Sequence, residues 1–293
     1  MKIIDGRELS KTIKEEIKEE VDNLRNQKKN IPHLAAVLVG EDPASQAYVR
    51  NKVRSCEQVG FESTLIRKDA SITEEELLEI VRDLNETDDI DGFIVQLPLP
   101  DHIDDVKVTL AIDPKKDVDG FHPVNFGRMA QGLPAYIPAT PLGILTMLER
   151  YEIETSGKQV VVVGRSNIVG TPISILLSRK DKIGNATVTL THSRTIDIAA
   201  EIGRADIVIA AIGVPGFVSG DMIKEGAVII DVGINRVEDE TRKSGYRLVG
   251  DVDFDSVAGK CSYITPVPGG VGPMTVASLL LNTLRASKKE IYE

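Results

Sequence analysis

The chain has 293 residues, a length that favours two domains over one large α/β domain, and its composition of 42% hydrophobic and 27% charged residues is typical of an ordinary globular protein. Its 35 basic and 45 acidic residues give a formal net charge of −10, which argues against a surface for nucleic acid or for an anionic membrane. Two cysteines without a metal-binding spacing, a polar N-terminus unlike a signal peptide and no apolar run of membrane-spanning length predict a cytoplasmic protein.

The first half of the chain alternates helices with buried strands. Apolar residues at helical spacing from Leu9 to Leu24 predict a long amphipathic helix, and HLAAVLVG (33–40) has the length and composition of a buried strand. FESTLIR and DGFIVQ are the next predicted strands, and the helix between them has a capping box formed by Thr73 and Glu76. This alternation indicates parallel strands with helical crossovers.

The helix after the first strand places a phenol and an amine one turn apart. Asp42 is its predicted N-cap, Pro43 occupies its first position and Gly60 ends it. Its predicted apolar stripe consists of Val49, Val53 and Cys56. The adjacent row consists of Tyr48, Lys52 and Ser55. Tyr48 and Lys52 are either a half-buried tyrosine beside a solvated lysine or a catalytic pair.

Polar residues follow the last strand of this half. Because proline cannot donate to a ladder, the strand ends at LPLP, and Gln96 lies at a carboxyl end, where open α/β sheets bind ligands. The loop DPKKDVDGFHP (113–123) then supplies Asp117 and Asp119. This D-x-D lacks the further oxygens of a calcium loop, and the four histidines are scattered, so no metal site is expected.

A second α/β pattern begins near residue 140. After a helix that starts at Thr140 and Pro141, the runs QVVVVG, TVTLTH, DIVIAAIG and AVIIDVG alternate with helices, as in a parallel sheet buried on both faces. A last strand, SYITPV, leads through TPVPGGVGPMT (265–275) into an apolar helix. Its prolines and glycines predict a rigid wall that a flat ligand can approach closely.

The segment VVVGRSNIVGTP (161–172) joins a strand to a helix, where doubly wound sheets bind a dinucleotide pyrophosphate. Gly164 and Gly170 fit the dinucleotide fingerprint, but Ser166 replaces its middle glycine, so a simple tight turn is the alternative.

The end of the following strand bears on the choice of cofactor. NAD sites usually have an acidic residue there, whereas this chain has Ser193 and Arg194. Together with Arg165 in the preceding loop, these residues favour NADP.

Six motifs, in this order and spacing, resemble the bifunctional methylenetetrahydrofolate dehydrogenase/methenyltetrahydrofolate cyclohydrolase family over nearly the whole chain: YVRNK, GFIVQLPLP, DPKKDVDGFHP, VVVGRSNIVGTP, DVGIN and TPVPGGVGPMT. The resemblance implies a two-domain α/β fold. An N-terminal α/β catalytic domain (1–139 plus 274–293) would bind folate, and an inserted Rossmann-type parallel-sheet domain (140–273) would bind NADP. A homodimer is also implied. The implied reactions are oxidation of 5,10-methylenetetrahydrofolate with NADP⁺ and hydrolysis of the methenyl product to 10-formyltetrahydrofolate.

The resemblance also implies residue roles. Lys52 would be catalytic with Gln96 as its partner, Tyr48 would stack on or hydrogen-bond the folate, and Asp119 would hold the pterin edge. The residues expected to line the NADP site are Gly164, Arg165, Ser166, Ser193, Arg194, Ile234 and Thr275. Those expected beside the reacting rings are Pro268, Gly269, Gly272 and Thr275.

The positive charge of the methenyl cation bears on which protonation state of Lys52 can act in hydrolysis. A protonated lysine would repel this cation, whereas a neutral amine can take a proton from the attacking water. Desolvation beside the apolar stripe favours the neutral form of Lys52, and a neighbouring carboxylate would oppose it. We therefore expect the neutral amide of Gln96, and no carboxylate, beside Lys52. Asp119 is expected to accept two pterin N–H groups.

Two other functions remain open at this point. One is an NADP-dependent dehydrogenase of another small metabolite, which would need a different base and a different substrate anchor. The other is a non-catalytic NADP-sensing protein, which gives no reason for Lys52, Gln96 and Asp119 to converge.

Overall fold

The structure, a computed structural model of the chain, describes residues 1–242 and 245–292. Two compact units make up the chain. The three-stranded unit comprises Lys11–Ala139 and Val276–Glu293, and the six-stranded unit comprises Met1–Ser10 and Thr140–Thr275. None of the helices within the described ranges is both long and apolar enough to cross a bilayer.

The elements of the first half are β1 (Lys2–Ile3), α1 (Gly6–Asn26), β2 (His33–Val39), α2 (Pro43–Val59), β3 (Glu62–Lys68), α3 (Glu74–Glu86), β4 (Gly92–Val95), α4 (Asp105–Ala111), α5 (Pro123–Ala130) and α6 (Ala139–Arg150). Those of the second half are β5 (Gln159–Val163), α7 (Gly170–Ser178), β6 (Thr187–Thr191), α8 (Ile198–Ile202), β7 (Ile207–Ala210), β8 (Val228–Asp231), β9 (Asn235–Glu238), β10 (Tyr246–Val249), α9 (Phe254–Ala258), β11 (Tyr263–Ile264) and α10 (Val271–Ser287).

The three-stranded unit contains a parallel sheet in the order β3-β2-β4. The apolar face of α3, with Leu77, Val81 and Leu84, packs on this sheet, and the predicted capping box of Thr73 and Glu76 is present. Because parallel strands share one carboxyl edge, the residues that follow β2 and β4 come to the same side of the sheet.

The six-stranded unit contains a parallel sheet in the order β1-β11-β8-β7-β5-β6. Strands β7 and β8 are buried throughout, whereas β6 is an edge strand and only partly buried. The chain passes from β5 to β6 on one side and then returns to β7 on the other. Such a reversal of strand order creates the crevice in which doubly wound sheets bind dinucleotides.

The first ten residues belong to the six-stranded unit, whereas the sequence interpretation assigned residues 1–139 to the first domain. The reason is non-local pairing, because Lys2 and Ile3 form a strand only by pairing with Tyr263 and Ile264. The sequence interpretation also lacked α4, α5, α9 and the β9–β10 hairpin, all of which are short.

Candidate active site

Helix α2 carries Lys52 into the interior of the three-stranded unit. Asp42 caps the helix by accepting a hydrogen bond of 2.7 Å from the backbone N–H of Ser45, and Gly60 ends it with a φ of 81°. The side chain of Lys52 is buried, whereas Val53, predicted to lie in the apolar stripe, is only partly buried. The buried face of α2 is therefore rotated toward Lys52.

Gln96 holds the amine of Lys52 from the end of β4. The Lys52 Nζ donates to Gln96 Oε1 at 3.2 Å. The other end of the amide, Gln96 Nε2, donates to the carbonyl oxygen of Leu97 at 2.6 Å. This second bond orients the amide so that its oxygen faces Lys52.

Asp119 is the second neighbour of this amine. Its Oδ2 lies 4.0 Å from Lys52 Nζ, and both side chains are largely shielded from solvent. The prediction that no carboxylate lies beside Lys52 is therefore wrong. The backbone of Asp117 forms an isolated β-bridge with Phe93 of β4. The polar loop 113–123 therefore runs alongside β4 and brings Asp119 to the same edge as Gln96.

Asp117, unlike Asp119, is buried and accepts hydrogen bonds from the backbone of its own turn. It is 2% exposed, and its carboxylate accepts hydrogen bonds from the backbone N–H groups of Phe121 at 3.2 Å and His122 at 2.8 Å. Burial raises the pKa of Asp117 to about 6. Gly120 has a φ of 75°, and a Cβ there would lie 2.7 Å from the backbone of Ile137. Asp117 and Gly120 thus fix the turn that presents Asp119.

A small cleft, partly open to solvent, lies along this turn. Its lining is mainly apolar and includes Phe93, Leu97, Val108, Ile112, Asp119 and Phe121. Asp117 also lines the cleft, and carboxylates among apolar walls suit a ligand that carries N–H donors.

Tyr48 lies one turn before Lys52 on α2, and 41% of its surface is exposed. Burial of the remainder raises the pKa of its phenol, which therefore stays protonated at neutral pH. The ring can stack on a bound ligand, and the hydroxyl can donate a hydrogen bond to it.

In the six-stranded unit, the loop after β5 is shaped by two glycines. A Cβ at Gly164 would overlap the carbonyl oxygen of Ala211, and a Cβ at Gly170 would overlap that of Gly164. Ser166, which replaces the middle glycine, accepts hydrogen bonds from the N–H groups of Val169 at 3.2 Å and Gly170 at 3.4 Å. The two glycines therefore allow close backbone packing in the loop that leads into the N-terminus of α7.

The loop after β6 presents hydroxyl and basic groups to solvent. Ser193 and Arg194 are exposed, as is Arg165 in the loop after β5. Asp197, the next carboxylate along the chain, caps α8 by accepting a hydrogen bond of 2.9 Å from the N–H of Ala200. Its role as a cap accounts for the acidic residue that follows the loop.

The loop 265–270 is held by close backbone contacts within the same unit. Gly269 has a φ of 119°, and its carbonyl oxygen accepts a hydrogen bond of 3.0 Å from the N–H of Arg7. Gly269 is buried, whereas Pro268 is exposed. Proline and glycine together thus make a fixed and partly exposed backbone surface.

The start of α10 brings together residues predicted for both ligands. Ile234 is 45% exposed, and a Cβ at Gly272 would lie 3.3 Å from its Cδ1. The hydroxyls of Thr275 and Thr140 are 3.0 Å apart. Helix α10 begins at Val271, within the segment 265–275 that was predicted to precede it, so Gly272 lies within its first turn.

Two buried carboxylates at the carboxyl edge of the six-stranded sheet, Asp231 and Asp251, were not among the predicted site residues. Asp231 begins the family motif DVGIN, whereas the only sequence signal for Asp251 was the preceding Gly250.

Two family models match the chain. The catalytic domain of tetrahydrofolate dehydrogenase/cyclohydrolase matches residues 4–119, and the NAD(P)-binding domain matches residues 138–291. The chain belongs to the tetrahydrofolate dehydrogenase/cyclohydrolase family. The predictions of a folate-dependent dehydrogenase and cyclohydrolase and of a nicotinamide dinucleotide cofactor are thereby confirmed.

Similar proteins cover this family member from end to end. The bifunctional protein FolD of Phocaeicola vulgatus is 59% identical, with all of both chains covered. The crystal structure of the bifunctional FolD methylenetetrahydrofolate dehydrogenase/cyclohydrolase from Campylobacter jejuni is 45% identical, with a TM-score of 0.93 and 99% of each chain covered. The FolD of Trypanosoma brucei, solved with NADP and an inhibitor, is 42% identical, with a TM-score of 0.93 and 99% of this chain and 98% of that chain covered. The predicted α/β two-domain fold class is confirmed.

Proposed function

We propose that the protein oxidises 5,10-methylenetetrahydrofolate with NADP⁺ and hydrolyses the methenyl product to 10-formyltetrahydrofolate. The observation that carries this proposal is the largely buried amine of Lys52, which is held by Gln96 and lies 4.0 Å from Asp119. A buried lysine beside an amide and a carboxylate can exchange protons with a bound substrate.

The residues of the six-stranded unit fit a dinucleotide. Gly164 and Gly170 let backbone segments pack closely around the loop after β5, which leads into the N-terminus of α7, where phosphate groups bind in such sheets. NADP⁺, when bound, accepts the hydride of the dehydrogenase reaction. Ser193, Arg194 and Arg165 are the groups we assign to the 2′-phosphate. Ser166, Ile234 and Thr275 are assigned to the remainder of the cofactor.

On the folate side, Asp119 would accept two pterin N–H groups, and Tyr48 would stack on the substrate. Asp119 also lies 4.0 Å from the amine of Lys52, so a bound pterin would lie beside that amine. Pro268, Gly269 and Gly272 are assigned to the surface beside the reacting rings.

In the hydrolytic step, a water oxygen attacks the methenyl carbon and gives one proton to Lys52 Nζ. The bond between this carbon and N5 of the pterin then breaks as the new hydroxyl forms a carbonyl. The hydroxyl proton is lost, N5 takes up one proton, and the carbon stays on N10 as the formyl group, so that the net reaction releases the single proton taken by Lys52. Gln96 keeps the amine directed at the water while the proton moves.

Replacement of Lys52 tests this assignment. Lys52→Met keeps an apolar stem and should abolish methenyl hydrolysis, while NADP⁺ binding and the unfolding temperature stay near those of the wild type. Lys14→Met is a matched control, because Lys14 is a part-buried lysine of the same unit that donates to Ser55 Oγ at 2.9 Å. Hydrolysis at the wild-type rate in Lys52→Met would exclude Lys52 as the base.

Replacement of Asp119 tests the substrate anchor. Asp119→Ala should raise the folate KM for both reactions, because one carboxylate binds the substrate of each. Titration calorimetry should find the NADP⁺ affinity nearly unchanged, because the proposed cofactor residues belong to the six-stranded unit. A loss of NADP⁺ affinity with folate affinity retained would contradict the assignment of the two ligands to the two units.

We also propose that the protein is a homodimer and works in the cytoplasm. The support for a reducing compartment is that Cys56 and Cys261 are both free and buried. Sedimentation velocity at micromolar concentration tests the dimer, and a single species of monomer mass would contradict it.

A further inference from the structure

Two buried carboxylates lie side by side at the carboxyl edge of the six-stranded sheet. Asp231 is the last residue of β8 and is 4% exposed, and Asp251 follows β10 and is fully buried. The backbone N–H of Asp251 donates to Asp231 Oδ1 at 2.9 Å. Burying two carboxylates is unfavourable unless their oxygens find donors, so the donors indicate what the pair does.

Asp251 joins the two loops that follow neighbouring strands. Its Oδ2 accepts hydrogen bonds from the N–H groups of Ile212 at 2.7 Å and Gly213 at 2.9 Å, in the loop after β7. Its Oδ1 accepts from Asn235 Nδ2 at 2.9 Å, in the segment after β8. Asn235 directly follows Ile234, which is assigned to the cofactor.

Asp231 fixes the segment that carries Asp251. Its Oδ1 also accepts from the N–H of Gly233 at 3.0 Å, and its Oδ2 accepts from the N–H of Val252 at 3.0 Å. A Cβ at Gly233 would overlap the carboxylate of Asp251, and a Cβ at Gly250 would overlap that of Asp231. Because glycine has no Cβ, the backbone at Gly233 and Gly250 can approach the two carboxylates this closely, and no other residue would allow it.

The loop held by Asp251 also touches the loop after β5. The carbonyl oxygen of Ala211, next to Ile212, lies where a Cβ at Gly164 would be. Asp251 thus sets the positions of three backbone segments around the crevice: the loops after β5, β7 and β8. In a doubly wound sheet the pyrophosphate of the cofactor lies at the loop after β5. One nucleotide is held at the end of β6, and the second nucleotide lies toward the loops after β7 and β8.

We infer that Asp251, supported by Asp231, is a positioning residue of the cofactor site, which fixes the loops after β7 and β8 against the second nucleotide of NADP⁺. This inference rests on the proposed function. A carboxylate repels the phosphates of a dinucleotide, so Asp251 acts through the N–H groups and the amide that it holds, and not by contact with the cofactor.

The variant Asp251→Asn tests the inference. If the new amide keeps its oxygen toward Ile212 and Gly213, its NH₂ group faces the NH₂ of Asn235, and one buried donor loses its acceptor. The NADP⁺ dissociation constant, measured by titration calorimetry, should rise roughly tenfold or more. Methenyl hydrolysis, which needs no cofactor, should stay within about twofold of the wild-type rate.

A donor–acceptor swap separates positioning from stability. In Asp251→Asn with Asn235→Asp, the amide of residue 251 donates to the carboxylate of residue 235, and the total charge is unchanged. This double variant should recover NADP⁺ affinity to within about threefold of the wild type, whereas Asn235→Asp alone should weaken it. Asp206→Asn is the matched control, because Asp206 accepts from the N–H of Gln159 at 2.7 Å and precedes β7, at the opposite edge of the sheet. It should lower the unfolding temperature without changing NADP⁺ affinity.

Unchanged NADP⁺ affinity in Asp251→Asn would overturn the inference, and so would a double variant that folds but recovers no affinity. Should the single variant fail to fold, the double variant decides by the same measurement. If the wild type binds NADP⁺ but catalyses neither folate reaction, the proposed function is contradicted. The NADP⁺ dissociation constants of the wild type and the variants can still be compared, so the inference about Asp251 is tested separately.

Discussion

At the scale of single residues, the candidate site combines groups of opposite electrostatic effect. Lys52 has the expected amide neighbour, Gln96, and the unexpected carboxylate Asp119. The same carboxylate is proposed to bind the pterin, so the substrate and the amine of Lys52 would share one neighbour.

The choice of cofactor is also decided by single residues. A bidentate contact between a guanidinium and the 2′-phosphate is worth about 1.5–3 kcal/mol, or roughly ten- to a hundredfold in affinity. We predict that the wild type uses NADP⁺ better than NAD⁺. Arg194→Ala, and more so its combination with Arg165→Ala, should narrow this gap mainly by raising the NADP⁺ KM.

Arg204→Ala is the control for this prediction, because Arg204 is an exposed arginine that precedes β7, away from the loops after β5 and β6. Equal use of the two cofactors by the wild type would overturn the assignment. An unchanged ratio in the double variant would show that other residues hold the phosphate.

At the scale of elements, α2 determines where the proposed catalytic row lies. The helix is stopped at both ends by local chemistry, namely the cap by Asp42 and the left-handed Gly60. Its first turn leads directly to Tyr48, and its buried face carries Lys52. Loss of the cap would fray the turn that precedes the site.

We therefore predict that Asp42→Ala lowers the unfolding free energy by about 1 kcal/mol and raises the folate KM. The matched control is Thr73→Ala, which removes the cap of α3, where Thr73 Oγ1 accepts from the N–H of Glu76 at 3.2 Å. It should lower stability by a similar amount with unchanged kinetics. Equal KM values in the two variants, measured alongside urea unfolding, would show that α2 holds its position without its cap.

At the scale of the whole molecule, each compact unit contains one buried thiol. Cys56 lies in the three-stranded unit and Cys261 in the six-stranded unit. Burial raises the pKa of both thiols, and that of Cys56 to about 12. Because the thiolate is the reactive form, both should stay unreactive toward iodoacetamide at neutral pH until the unit that contains them unfolds. Mass spectrometry after labelling across a urea gradient would assign an unfolding transition to each unit.

The same shift predicts how stability depends on pH. The pKa of the Cys56 thiol is 9.0 in an unfolded chain and is raised to about 12 in the folded one. As the pH rises, the unfolded state therefore loses this proton at a lower pH than the folded state does. The contribution of the thiol to the unfolding free energy should be fully present below pH 9 and should fall by up to about 1.4 kcal/mol per unit as the pH rises from 9 to 12. Urea unfolding of Cys56→Ala at several alkaline pH values should show a shallower decline than the wild type.

The sequence by itself determined the features that depend on near neighbours in the chain. Helical spacing defined α1, the Asp42 cap and Gly60 bounded α2, and the runs of valine and isoleucine located β5, β7 and β8. Motifs spread along the chain were enough to identify the family. Turn chemistry, caps and periodicity act within a few residues, so they can be read without knowing the fold.

Only the tertiary structure decided which distant groups meet. A two-residue strand such as β1 exists only through its pairing with β11, and no local pattern marks it. The approach of Asp119 to Lys52 follows from the pairing of its loop with β4, and the joining of Asp251 to Ile212 follows from the order of strands in the sheet. These contacts depend on the packing of segments far apart in the chain, where the periodicity of a single segment carries no information.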